Sequence, residues 1–161
     1  MSRPTLIRAH RCILAAWSPV FSRMFETGFQ EEKSKFVKIE DMDNRTLDLL
    51  LTFMYTGVVD LPVEISKGLL LLAAADKYGV QELKQRLDKG LCESINDDNA
   101  FECFKFSDMH SAALLREASS KHILECMDVE ESLIPLKCML LGDNNVDRKL
   151  AVELVEILWL K

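Results

Sequence analysis

A chain of 161 residues that is 48% hydrophobic and 29% charged has the length of one domain, or of one domain with a helical appendage, and the composition of a folded protein. Its net charge of -6, with Lys and Arg scattered and the densest basic stretch broken by Ser34, Phe36 and Val37, argues against nucleic-acid or anionic-membrane binding, since both require basic patches. The longest apolar stretches, 47–54 and 69–75, are far shorter than a membrane span, and Met1-Ser2-Arg3-Pro4 lacks the apolar run of a signal peptide.

Residues 5–8 read as the end of a strand feeding a first short helix, in which Ile13, Leu14, Ala15 and Ala16 are the small and aliphatic residues of a buried hairpin. Ser18 can cap the next helix, and Pro19 fits its first turn, where a missing N–H costs nothing. Val20, Phe21, Met24 and Phe25 then recur at helical spacing and give that helix one apolar face. A polar stretch follows over 26–35, in which Gly28 ends the helix and Phe29 can fold back on its last turn. Residues 36–39 alternate enough to predict a short strand.

Asp41 or Asp43 can cap a helix over 44–55 whose Leu47, Leu50, Leu51 and Met54 share one face, and Gly57 stops it. After an extended link at 58–62, a helix over 65–78 is apolar almost all round and is expected at the centre of the core. Gly79 breaks it, and a helix over 80–91 carries Leu83, Leu87 and Leu91 on one stripe. Asp97, Asp98 or Asn99 can cap the helix bearing Phe101, Phe104 and Met109, and 111–127 continues as its partner through Ala112, Leu115, Ala118, His122, Ile123 and Cys126. Further on, 133–141 is apolar around Pro135, 142–145 is a turn by composition, and 147–160 is a last amphipathic helix with Leu150, Leu154, Ile157 and Leu158 on one face.

No catalytic grouping emerges. The five cysteines, Cys12, Cys92, Cys103, Cys126 and Cys138, are odd in number and irregular in spacing, as expected for reduced and mostly buried thiols of a cytosolic or nuclear protein. His122 and Cys126 stand at i, i+4, but two ligands make no metal site and no second pair accompanies them. His10 and Cys12 point in different directions on a helix, and Cys12 is expected to be a buried packing residue. Neither Ser18, Ser22 nor Ser34 sits in a nucleophile elbow, and six glycines form no phosphate-cradling loop. No enzyme activity, metal or cofactor is expected.

Ala9-His10-Arg11-Cys12-Ile13-Leu14-Ala15-Ala16, Ser18-Pro19-Val20-Phe21, Met24-Phe25 and Phe53-Met54-Tyr55-Thr56-Gly57 together resemble the BTB (POZ) domain. Leu71-Leu72-Ala73-Ala74-Ala75-Asp76-Lys77-Tyr78 and Asp108-Met109-His110-Ser111-Ala112 are similar to the speckle-type POZ protein subfamily, in which that domain continues into a helical BACK-type extension. The resemblance runs over 6–126. It implies an α+β, mostly α fold: a BTB/POZ core over 1–93 that lacks its N-terminal helix and strands and keeps a small residual sheet, then a BACK-like helical extension over 94–161.

The function the resemblance implies is that of an adaptor, in the nucleus or cytoplasm, that recruits substrates to a cullin-3 RING ubiquitin ligase for ubiquitination. Phe29-Gln30-Glu31 matches the hydrophobic-any-Glu motif of cullin-3-binding BTB proteins, with Phe29 as apolar anchor, Glu31 as its polar companion, and adjoining surface from the second helix and the helix end at Tyr78. Ile13 falls where the family places a dimer contact, which implies homo- or hetero-dimers with BTB proteins. The family's N-terminal helix supplies much of that interface and is missing here, so dimerisation stays open. The subfamily's substrate-binding MATH domain would precede residue 1. The alternative is an interaction or dimerisation module of a transcriptional regulator or scaffold unconnected with ubiquitin.

Overall fold

A computed structural model describes residues 6–26, 36–60, 64–125, 149–152 and 154–155. By its internal packing the chain divides into two compact units, Met1–Leu87 and Asp88–Lys161.

The first unit is built from α1 (Arg11–Trp17), α2 (Pro19–Met24), α3 (Asn44–Thr56), α4 (Ile65–Lys77) and the start of α5 (Gln81–Gly90). Local chemistry sets most of these limits. The Asp43 side chain accepts from the Thr46 N–H at 2.6 Å and so begins α3. Gly57, at φ +68°, ends it with its N–H on the Phe53 carbonyl at 2.7 Å. α4 closes in the same left-handed way at Gly79, where the Val80 N–H reaches the Ala75 carbonyl (2.8 Å) and the Gly79 N–H reaches that of Asp76 (3.1 Å). The core lies among Phe21, Leu50, Phe53, Leu69, Leu71, Leu72, Leu83 and Leu87, all buried. α3 packs on both α1 and α4, which explains why Phe53 is buried while Leu47 and Leu51 of the expected stripe are only half-buried.

The second unit continues from α5 through a 3-10 turn (Leu91–Ser94) to α6 (Ala100–Met109) and α7 (Ala113–Glu125), which pack on one another across a three-residue bend. Backbone at 149–152 and 154–155 is also helical. Phe104, Ala100, Ile123, Leu150, Ala151 and Leu154 form one buried cluster, with Ile95 and Phe101 against it. Asp88 caps α7 from outside: its carboxylate accepts from the Leu115 N–H at 2.8 Å and the Leu114 N–H at 3.3 Å. Asn99 precedes α6 without capping it; its side-chain amide instead braces the preceding bend on Ser94 and Asn96.

The expected residual sheet is overturned. Among the described residues there is no strand, and the fold class there is α rather than α+β. Residues 36–40 do alternate, with Phe36, Lys38 and Glu40 exposed and Val37 and Ile39 half-buried. Alternation reports which way side chains point, whereas a strand also needs a partner's backbone ladder; neither 36–40 nor 6–10 makes one. One smaller expectation also fails: Cys12 is exposed. Met109, at the end of α6, is also exposed. The apolar segment 133–141 and the turn at 142–145 lie outside the described residues.

Candidate functional site

The hairpin of α1 and α2 turns on Ser18. Its hydroxyl oxygen accepts from the Phe21 N–H (3.1 Å), capping α2, while its proton goes to the Tyr78 carbonyl (2.5 Å). Ser18 is fully buried, so one side chain starts a helix and fastens the hairpin to the end of α4. Pro19 follows at the first helical position and lies so close to Gly79 that a Cβ there would come within 2.8 Å of its ring. Ser18→Ala is expected to cost about 1–3 kcal/mol, through a lost cap and two buried polar groups deprived of a partner. Urea denaturation of the purified chain checks this, and a cost under ~0.5 kcal/mol would show that the bridge is replaceable.

Tyr78 is 3% exposed. Its ring packs against Phe21 with centroids 4.9 Å apart. The hydroxyl is the polar end of an otherwise apolar residue, and it donates to the Asp41 carboxylate (3.0 and 3.3 Å). Lys77 closes the group with Nζ 2.7 Å from Asp41 Oδ2. Burial pushes the Tyr78 hydroxyl well above its ordinary range, and the hydrogen bond and charge of Asp41 push it further. Partial burial also pushes the Asp41 carboxyl up, but hydrogen bonds from Lys77, the backbone and Tyr78, with the Lys77 charge, outweigh it and hold the group below its usual value.

The outer side of the hairpin is tied in two further places. Arg11 donates to the Phe25 carbonyl (2.9 Å) and lies 4.7 Å above the Phe25 ring. The His10 N–H, at the start of α1, donates to the Tyr55 hydroxyl oxygen (2.7 Å), and the hydroxyl faces His10 Nδ1 (2.8 Å).

Of the residues singled out from the sequence, the structure places Ile13 half-buried on α1 and Tyr78 inside the unit against α2. Phe29 and Glu31 lie outside the described residues. Asp41 was visible in the sequence only as an alternative helix cap; its link to Tyr78 spans 37 positions and no local pattern announces it. Among the described residues no group of three or more His, Cys, Asp or Glu side chains is placed to hold a metal ion. His122 pairs instead with Asp97 (2.7 Å), and Cys126 is outside the described residues. Burial raises the Cys103 thiol to about 11, helped by the charges of Glu102 and Cys92, so it is an inert packing thiol. No described helix is long and apolar enough to cross a membrane.

The profile of the BTB/POZ domain matches residues 2–95. The chain belongs to the BTB/POZ family. Its Ser18-Pro19 hairpin and Tyr78 corner are therefore parts of a BTB/POZ domain, and the family makes this chain a protein-interaction module. The chain is 38% identical over 117 residues to "TD and POZ domain-containing protein 4" of Mus musculus, an alignment that takes in 73% of this chain and 32% of the relative. It thus spans about a third of the length of the curated relative it matches.

Proposed function

We propose that this BTB/POZ chain is an adaptor that brings substrates to a cullin-3 RING ubiquitin ligase, working in the nucleus or cytoplasm. The observation that carries the reading is Phe29-Gln30-Glu31, a hydrophobic-any-Glu motif that follows the α2 helix within the residues matched to the BTB/POZ family. Phe29 acts as the apolar anchor and Glu31 as its polar companion, next to surface supplied by α2 and the Tyr78 corner. The similarity of 71–78 and 108–112 to the speckle-type POZ subfamily supports the same reading, with the second unit as a BACK-like extension and a MATH or other recognition domain as the substrate arm. Ubiquitin transfer is then a matter of proximity: holding a substrate beside the ubiquitin donor raises its effective concentration without chemistry in this chain. Ile13 serves as a contact in dimers with a second BTB domain.

An aromatic anchor seated in a partner's pocket is worth about 2 kcal/mol or more. Phe29→Ala is accordingly expected to weaken binding to the N-terminal domain of cullin-3 by at least ~10-fold in isothermal titration, with Glu31→Ala weakening it less. Equal affinity of Phe29→Ala and the unsubstituted chain would remove the site assignment.

A further inference from the structure

We infer that residues 37–40 are a self-association edge, along which two copies of this chain pair antiparallel, strand to strand, about a two-fold axis at Ile39. Within one chain these residues have the side-chain alternation of a strand, with Val37 and Ile39 half-buried and Lys38 and Glu40 exposed. Yet among the described residues their backbone N–H and C=O groups make no hydrogen bond. Unpaired backbone that already turns its apolar side chains toward its own domain is a template for a strand from another chain, which has only to bring the missing ladder. Neither the cullin reading nor the Ile13 contact enters the inference.

The exposed charges choose both the occupant and the register. Lys38 Nζ lies 2.6 Å from Glu40 Oε1, on side chains 81% and 72% exposed, so both charges stand on the outward side of the segment. In an antiparallel pair, directly opposed residues point to the same face. A two-fold pairing that keeps Val37 and Ile39 of both copies toward their domains therefore sets outward residues opposite outward ones. Centred on Lys38 or on Glu40, it would oppose like charges. Centred on Ile39, it places Lys38 opposite the partner's Glu40 and Glu40 opposite the partner's Lys38, so that the charges alternate in sign across the seam. The segment is thus complementary to itself, which makes a second copy of this chain its occupant. The ladder is short, because the next residue, Asp41, is held back on Tyr78 and Lys77, and the dimer is accordingly a weak one.

Sedimentation equilibrium of the whole 161-residue chain tests the pairing. The parent is expected to dimerise reversibly at protein concentrations up to about 100 µM. Lys38→Glu and Glu40→Lys each turn both symmetry-related pairs repulsive, and each is expected to weaken the dimer about 10-fold. Mixing the two variants restores the parent's affinity, because in the mixed dimer every outward pair is again of opposite sign. The mixture is the deciding arm: a charge reversal that acted only by breaking the Lys38–Glu40 bridge inside one chain, or by lowering stability, would not be repaired by another chain. Three results would each overturn the inference. The first is a parent that stays monomeric at about 100 µM. The second is a pair of single variants that associate as tightly as the parent, the mark of another surface such as that of Ile13. The third is a mixture no tighter than its components.

Discussion

Phe21→Ala is expected to destabilise the first unit by about 3–5 kcal/mol. Phe21 is 1% exposed and makes the hairpin's aromatic contact with the end of α4. Its ring lies 4.9 Å from that of Tyr78 and, near parallel, 6.2 Å from that of Phe25. Truncation to Ala removes the ring's transfer energy and leaves a cavity between α2 and the end of α4, which Ser18 and the Gly79 turn hold at a fixed separation and which therefore cannot collapse. Whole domains are stable by only about 5–15 kcal/mol, so this one change threatens the fold. Phe21→Leu, which keeps most of the volume, is expected to cost under ~1.5 kcal/mol. Urea denaturation of both variants decides: if Phe21→Ala costs less than ~1 kcal/mol, the hairpin is not seated on Tyr78 as described.

In the second unit the corresponding residue is Phe104. Among the described residues it is the one large aromatic side chain fully inside the cluster of Ala100, Ile123, Leu150, Ala151 and Leu154, and the Arg116 guanidinium lies 5.2 Å from its ring centroid while bonding Asp108 at 3.1 Å. Phe104→Ala is expected to cost about 3–5 kcal/mol and to lower the hydrogen-exchange protection of α6 and α7, because Phe104 is the largest side chain of the buried cluster that also takes in Ala100 of α6 and Ile123 of α7. Unchanged protection in α6 would show that the cluster does not hold the pair together.

What the sequence made legible follows from how far each signal has to reach. Ser18-Pro19, Asp43, Gly57 and Gly79 all act on backbone within five residues, and the helix limits they set appear where they were expected. The α6–α7 bend uses the same left-handed closure as Gly79, with the Ala112 N–H on the Ser107 carbonyl at 2.8 Å, but places Ser111 at φ +52° where glycine would be free of strain. No glycine marks it, and composition alone located the break only approximately. Contacts between distant residues left no trace: Asp88 under the start of α7, Asp41 beneath Tyr78, and the Tyr55 hydroxyl at the start of α1 each depend on the folded arrangement. The strand expected over 36–39 shows the opposite failure, a correct period-2 pattern without the pairing that a strand requires. For the proposed partner motif, the residue types and their place after α2 in the chain were readable.

We propose above all that this BTB/POZ chain carries a cullin-binding surface. Sedimentation velocity of the chain mixed with the N-terminal domain of cullin-3 tests it most directly. The predicted result is a faster-sedimenting species of one chain per cullin domain, absent when Phe29→Ala replaces the parent. Two components that sediment independently, with circular dichroism showing the chain helical and folded, would contradict the claim and leave an interaction module unconnected with ubiquitin as the better description.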